Sequence, residues 1–187
     1  APSRGLGDVY KRQVERMKHV AELISESAPK IVVLSATAGT TNHLEEIAAN
    51  LFSRDIEQAH EKITRLEFQF IDFANELLTD ESIKREAIDY ILDRFQRLWQ
   101  FINNEFTSVE EKEVLAQGEL ISTALLHFYL RERKIANILL SAFDFMRTGT
   151  EGEPDLKYIE EKLQAQLAQY PLSLIHISEP TRRSYIS

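Results

Sequence analysis

The stretch "KIVVLSATAGTTNHLEEIA" (residues 30–48) decides the fold class. Its first part, "KIVVLSA" (30–36), is a continuous β-branched run of the kind found in a strand buried on both faces. A short loop with Gly39 follows, and Asn42 with Glu45 has capping-box spacing for a helix running to about Phe52. Upstream, Val14, Met17, Val20, Ala21 and Ile24 recur at helical spacing, with Pro29 marking the end of that helix. Helix, strand, loop and helix in this order indicate α/β organisation.

Downstream the character changes. From Asp55 to about Asn103 the pattern is helical throughout. Ile56, Ala59, Ile63, Leu66, Phe70, Phe73 and Leu77 form one apolar stripe; Ile83, Ala87, Ile91, Phe95 and Leu98 form a second. The turn "LTDES" (78–82) separates them, which predicts a helical hairpin with the aromatic residues in its core. Thr107 and Glu110 have capping-box spacing for a long helix to about Arg131. Gly118 interrupts it at a cost of about 1 kcal/mol relative to alanine, and marks either a close backbone approach or the start of a second helix. "KIANILL" (134–140) reads as another strand, followed by the polar loop "DFMRTGTEGE" (144–153). Pro154 then opens an amphipathic helix over 155–169.

The two ends of the chain mirror each other in an unusual way. Read on the opposite DNA strand with permitted codons, "DVYKRQ" (8–13) spells "LSLIHI", which is residues 172–177. The match continues outward, with "SRGLG" (3–7) giving "SEPTR" (178–182), and Ala1-Pro2 is compatible with Arg183-Ser184. Folding selects on side chains and not on complementary codons, so this symmetry points to a DNA origin. Both tails resemble translated transposase adaptor from sequencing-library preparation. Residues 1–13 and about 172–187 are accordingly set aside from functional argument, with Pro171 ambiguous.

The tails hold five basic residues (Arg4, Lys11, Arg12, Arg182, Arg183) and two acids (Asp8, Glu179). Without them the net charge moves from −8 to −11. So acidic a chain is a poor binder of nucleic acid or anionic membrane. The absence of cysteine excludes a thiolate nucleophile and a Cys-ligated metal, and fits a cytoplasmic protein. His19, His43, His60 and His127 share no close ligand spacing, and His176 lies in the adaptor, so no metal site is expected. There is no GxSxG or P-loop pattern.

Two segments carry the candidate chemistry. "LSATAGTTN" (34–42) puts small residues and hydroxyls at the carboxyl end of a strand leading to a helix start, where open α/β sheets bind anionic ligands; the same residues also suit a plain tight turn. In "QGELIS" (117–122), Glu119 interrupts an apolar stretch and could hold a substrate ammonium group. On spacing alone it falls on a solvated helix face.

Three blocks, "KIVVLSATAGTTNHLEEIA" (30–48), "VLAQGELISTALLHFYLRER" (114–133) and "DFMRTGTEGEPDLKYIEEKL" (144–163), together resemble the aspartate kinases (aspartokinases) of the amino-acid kinase family. The resemblance covers essentially all of residues 14–170, and "ERMKHVAELI" (15–24) looks like the family's first helix. It implies a three-layer α/β amino-acid kinase (carbamate kinase-like) fold, partial here, with a helical insertion at about 55–106. The implied activity is transfer of the ATP γ-phosphate, with Mg2+, to the side-chain carboxylate of L-aspartate. The product, 4-phospho-L-aspartate, leads to lysine, threonine and methionine. A homo-oligomeric parent enzyme is implied too.

Carried over by position, Ser35 and Thr41 match residues that contact aspartate, and Glu119 matches the acid that binds its amino group. The family's "KFGGTS" motif, whose lysine stabilises the transferring phosphoryl group, should lie just before Val14, where "DVYKRQ" stands; Lys11 cannot be given that role. The "GRGGSD"-type loop and the nucleotide-binding half lie beyond the carboxyl-terminal end of the resemblance. No catalytic, ATP-binding or metal-binding residue is therefore expected here, and the fragment is expected to be inactive alone. Two rivals are a non-enzymatic helical interaction module and a kinase for another amino acid of the same superfamily. A monofunctional kinase and a kinase–homoserine dehydrogenase fusion are equally compatible with the sequence.

Overall fold

The computed structural model describes residues 4–25, 30–149, 152–170 and 174–178, with side chains for 11–25, 30–149 and 152–170. In chain order the elements are α1 (Arg4–Ile24), β1 (Lys30–Leu34), α2 (Thr40–Phe52), α3 (Ile56–Leu77), α4 (Glu81–Asn103) and α5 (Ser108–Glu132). They continue with β2 (Asn137–Ser141), a single 3-10 turn at Ala142–Asp144, α6 (Leu156–Leu167) and β3 (Leu174–Ser178). Pro29, Pro171 and residues 1–3, 150–151, 172–173 and 179–187 of the sequence expectations lie outside the described residues.

The helical hairpin forms as the sequence pattern requires. Asp55 caps α3 by accepting from the Gln58 N–H at 3.3 Å, and Asp80 caps α4 by accepting from the Ser82 and Ile83 N–H groups at 2.9 and 3.0 Å. Thr107 and Glu110 make a reciprocal capping box at the start of α5. Both apolar stripes turn inward, and Phe70 meets Phe95 with ring centroids 6.1 Å apart. At the open end of the hairpin, Phe106 packs edge-on against Phe52 and Phe101. Each fully buried Ile, Leu or Phe here contributes roughly 1.5–3 kcal/mol.

α5 is buried on all sides along residues 114–126 and touches α1, α2, α4 and all three strands. A helix with no solvated face is the axis of its domain. Gly118 does not interrupt it: α5 is one continuous helix. It ends where Lys134 takes a left-handed conformation (φ 59°) and the Ile135 N–H reaches back to the Leu130 carbonyl at 2.9 Å. That turn delays the second strand, which begins at Asn137 and not at the expected Lys134.

Among the described residues the sheet has three parallel strands in the order β1-β3-β2. Leu174–Ser178, within the segment set aside from functional argument, is the central strand: β1 and β2 are not paired with each other, and each finds its backbone partners in it. Similarly α1 begins at Arg4, ten residues before the expected Val14, so residues 8–13 are helical. The register sets Ile31 level with Ile138, and Val33 level with Leu140, across β3 on one face, with Val32, Leu34 and Leu139 on the other. The second face meets the helices of the main core; on the first, α6 covers β2 through Ile159, Leu163 and Leu167. Ile31 and Val33 stay 52% and 50% exposed, so β1 is not buried on both faces as its composition suggested.

Candidate functional site

Residues 35–39 leave β1 and enter α2. The turn depends on Gly39, whose φ of 85° is a conformation that L side chains adopt with strain. With Gly39 as the residue before the helix, α2 starts at Thr40; the expected cap, Asn42, lies inside the first turn. The Thr40 N–H closes the turn on the Thr37 carbonyl at 3.1 Å, and the two threonine hydroxyls meet at 2.8 Å.

This loop lies directly on α5. A Cβ on Gly118 would stand 2.9 Å from Thr40 Cγ2 and 3.1 Å from both Ala36 Cβ and Leu44 Cδ1, so a side chain here would force the loop to shift. Of the two readings open for Gly118, the close approach is the one realised. One turn further on, buried Ser122 donates its hydroxyl to the Gly118 carbonyl at 2.7 Å and accepts the Thr37 N–H at 3.1 Å. Between them sits Glu119, only 4% exposed, with its carbonyl accepting from the Thr123 hydroxyl at 2.7 Å. The solvated-face reading of Glu119 is thereby overturned: α5 has no solvated face at this level.

A cleft of about 160 Å3 opens where the loop, α1 and α5 meet. Ser35, Thr37 and Ala38 form its loop wall, Ser122 and Leu126 its α5 wall, and Gln13, Arg16, Met17 and Val20 its α1 wall. Gln13 Nε2 donates to the Ala38 carbonyl at 2.8 Å, so part of that wall comes from the segment set aside as adaptor. Of the three sequence-derived site residues, Ser35 lines the cleft. Thr41 and Glu119 do not; each neighbours a member of the Gly118–Thr40 contact in sequence. Thr37 and Ser122 were not singled out from sequence, although both fall inside the two quoted stretches. Only the fold brings them together.

ATP and Mg2+ do not fit the residues assembled here. The loop at the carboxyl end of β1 carries one glycine and no lysine, and Lys30 stands at the opposite end of the strand. Among the described residues no group of three or more His, Asp or Glu side chains is placed to hold a metal ion. No described helix is long and apolar enough to cross a membrane. On the far side of α5, His127 Nδ1 pairs with Asn137 Oδ1 at 2.6 Å; burial pushes the imidazole below its ordinary pKa, partly offset by the Asn137 hydrogen bond.

No family model matches the chain. Over 157 residues it is 28% identical to lysine-sensitive aspartokinase 3 of Escherichia coli (strain K12), covering 82% of this chain and 34% of that protein. In structure it is similar to E. coli aspartokinase III in complex with aspartate and ADP in the R-state. The TM-score is 0.69 at 24% identity, over 88% of this chain and 37% of the other. The lysine and aspartate complex of that enzyme in the T-state gives 0.69 at 24% identity, over 87% and 37%. Clostridium acetobutylicum aspartate kinase gives 0.63 at 15% identity, over 88% and 35%. These structural likenesses are of fold. The chain spans about a third of the length of the relatives it matches. Over that third, it is homologous to the aspartokinases.

Proposed function

We propose that residues 14–170 are the acceptor-binding part of an aspartate kinase catalytic domain of the three-layer amino-acid kinase fold, with residues 55–106 as a helical insertion. On this reading Glu119 holds the ammonium group of L-aspartate, and Ser35 and Thr41 hold its polar end. The observation that carries it is the seating of the small-residue loop on α5 at Gly118, beside the buried Glu119. A buried carboxylate favours a cationic ligand group strongly, because little water competes for it.

The parent enzyme then passes the γ-phosphoryl group of ATP, with Mg2+, to the β-carboxylate of aspartate, in the cytoplasm and as a homo-oligomer. The helical stripes offer little support to an interaction module, since Ala59 to Leu77 and Ala87 to Leu98 are buried in the core that α3 and α4 share with α1, α2 and α5. Residues 1–13 and 171–187 are adaptor-derived on this reading, and β3 is a stand-in strand between β1 and β2.

Calorimetric titration of the 187-residue chain tests the acceptor site. L-aspartate should bind with Kd of about 1 mM, near 4 kcal/mol, and L-glutamate more weakly. Equal binding of the two acids, or none of aspartate, would overturn the reading. A hydroxylamine trap for acyl phosphate should stay blank with ATP and aspartate. A positive signal would contradict the assignment of the phosphate-stabilising lysine to sequence outside this chain.

A further inference from the structure

We infer that Ser122 is the positioning residue for the acceptor loop, acting through the Thr37 amide; the inference rests on the aspartate-binding reading above. The Ser122 side chain is 2% exposed, so its hydroxyl must be satisfied internally. Its one proton goes to the Gly118 carbonyl, 2.7 Å away within α5, and this fixes the oxygen lone pairs toward the loop. The Thr37 N–H donates to that oxygen at 3.1 Å. Thr37 passes the constraint along the loop through its hydroxyl contact with Thr40, at 2.8 Å.

Gly118 and Ser122 stand four residues apart and so share one face of α5. Gly118 receives the α2 end of the loop against its bare backbone, and Ser122 receives the middle of the loop by hydrogen bond. Glu119 belongs to the same helical turn. One turn of α5 thus sets the distance between the loop residues Ser35 and Thr41 and the carboxylate at Glu119. A ligand gripped at one end by the loop and at the other by Glu119 needs that distance fixed before it arrives. Ser122 need not touch the ligand to govern its affinity.

The test joins amide hydrogen exchange at Thr37 with L-aspartate titration on the 187-residue chain, comparing wild type with Ser122→Ala, Ser122→Thr and Gly118→Ala. Ser122→Ala should speed Thr37 exchange and weaken aspartate binding by about tenfold each, with the helical circular dichroism unchanged. Ser122→Thr keeps the hydroxyl and should recover most of both. Gly118→Ala keeps Ser122 but pushes the loop from α5, and should weaken aspartate binding with little effect on other helices; it carries the test if Ser122→Ala does not fold. Aspartate affinity that is unchanged in Ser122→Ala, or Thr37 exchange that does not respond, overturns the inference. A wild-type chain that binds no aspartate overturns it together with the reading beneath it; the Thr37 exchange response then still reports whether the clamp exists.

Discussion

In the hairpin of α3 and α4, the residues that cap each helix and the apolar stripe that the helix carries lie within a few turns of one another in sequence. Asp55 caps the stripe that contains Ile63 and Phe70, and Asp80 caps the stripe that contains Ile91 and Phe95. In the sheet, β1 and β2 meet only through β3, and the crossover between them is the whole of α2 to α5. β3 itself comes from a segment whose residues match, with permitted codons, an antisense reading of the opposite end of the chain. The hairpin is specified by its own residues; the sheet is specified by whatever strand fills the gap between its edges. Local contacts make the first robust, and non-local pairing leaves the second dependent on its neighbours.

Removing residues 171–187 should separate the two regions most sharply. Amide protection at residues 31–34 and 138–141 should disappear, while the helical circular dichroism and a cooperative melt persist. Global unfolding on that truncation would show that the helices lean on the sheet. Smaller changes sharpen the same contrast. Phe95→Ala, at a site with no solvent exposure, should cost about 3–5 kcal/mol in urea denaturation, whereas Val33→Ala on the open face of β1 should cost under about 1 kcal/mol. Comparable losses at the two sites would mean that the sheet face is covered in solution. Thr107→Ala removes the capping box of α5 and should lower the urea midpoint by the equivalent of about 1 kcal/mol.

The smallest effect concerns His127, where α5 faces the start of β2. Burial lowers its pKa from 6.5, so the unfolded chain binds the proton more readily than the folded one. Stability should therefore fall as pH drops below about 6.5 and level off below the folded pKa. His127→Gln should flatten the change in urea midpoint between about pH 7.5 and 5.5. An unchanged slope would place the imidazole in water.

What could be read from the sequence follows the same division. The caps at Asp80 and Thr107 were legible because a cap and its helix are neighbours in the chain. Spacing alone puts Glu119 on a solvated face, because a charged residue in an apolar run reads that way and periodicity cannot show that α5 touches six other elements. Gly118 kept two readings until Ala36, Thr40 and Leu44 were placed against it from far away in sequence. The start of β2 is not legible in sequence, because Lys134 takes a left-handed conformation that glycine or asparagine would have signalled and the strand begins only at Asn137. For β1, the β-branched run indicates a strand suited to burial on both faces, and the described residues cover only one.

The most direct measurement is an NMR titration of the 187-residue chain and its Glu119→Gln variant with L-aspartate. Wild type should show saturable shifts at the amides of residues 35–41 and 118–122, and Glu119→Gln, which removes the charge and keeps the shape, should bind at least about tenfold more weakly. Equal affinity in the two proteins, or shifts confined to residues away from this junction, would contradict an aspartate-binding role for the turn of α5 that carries Glu119.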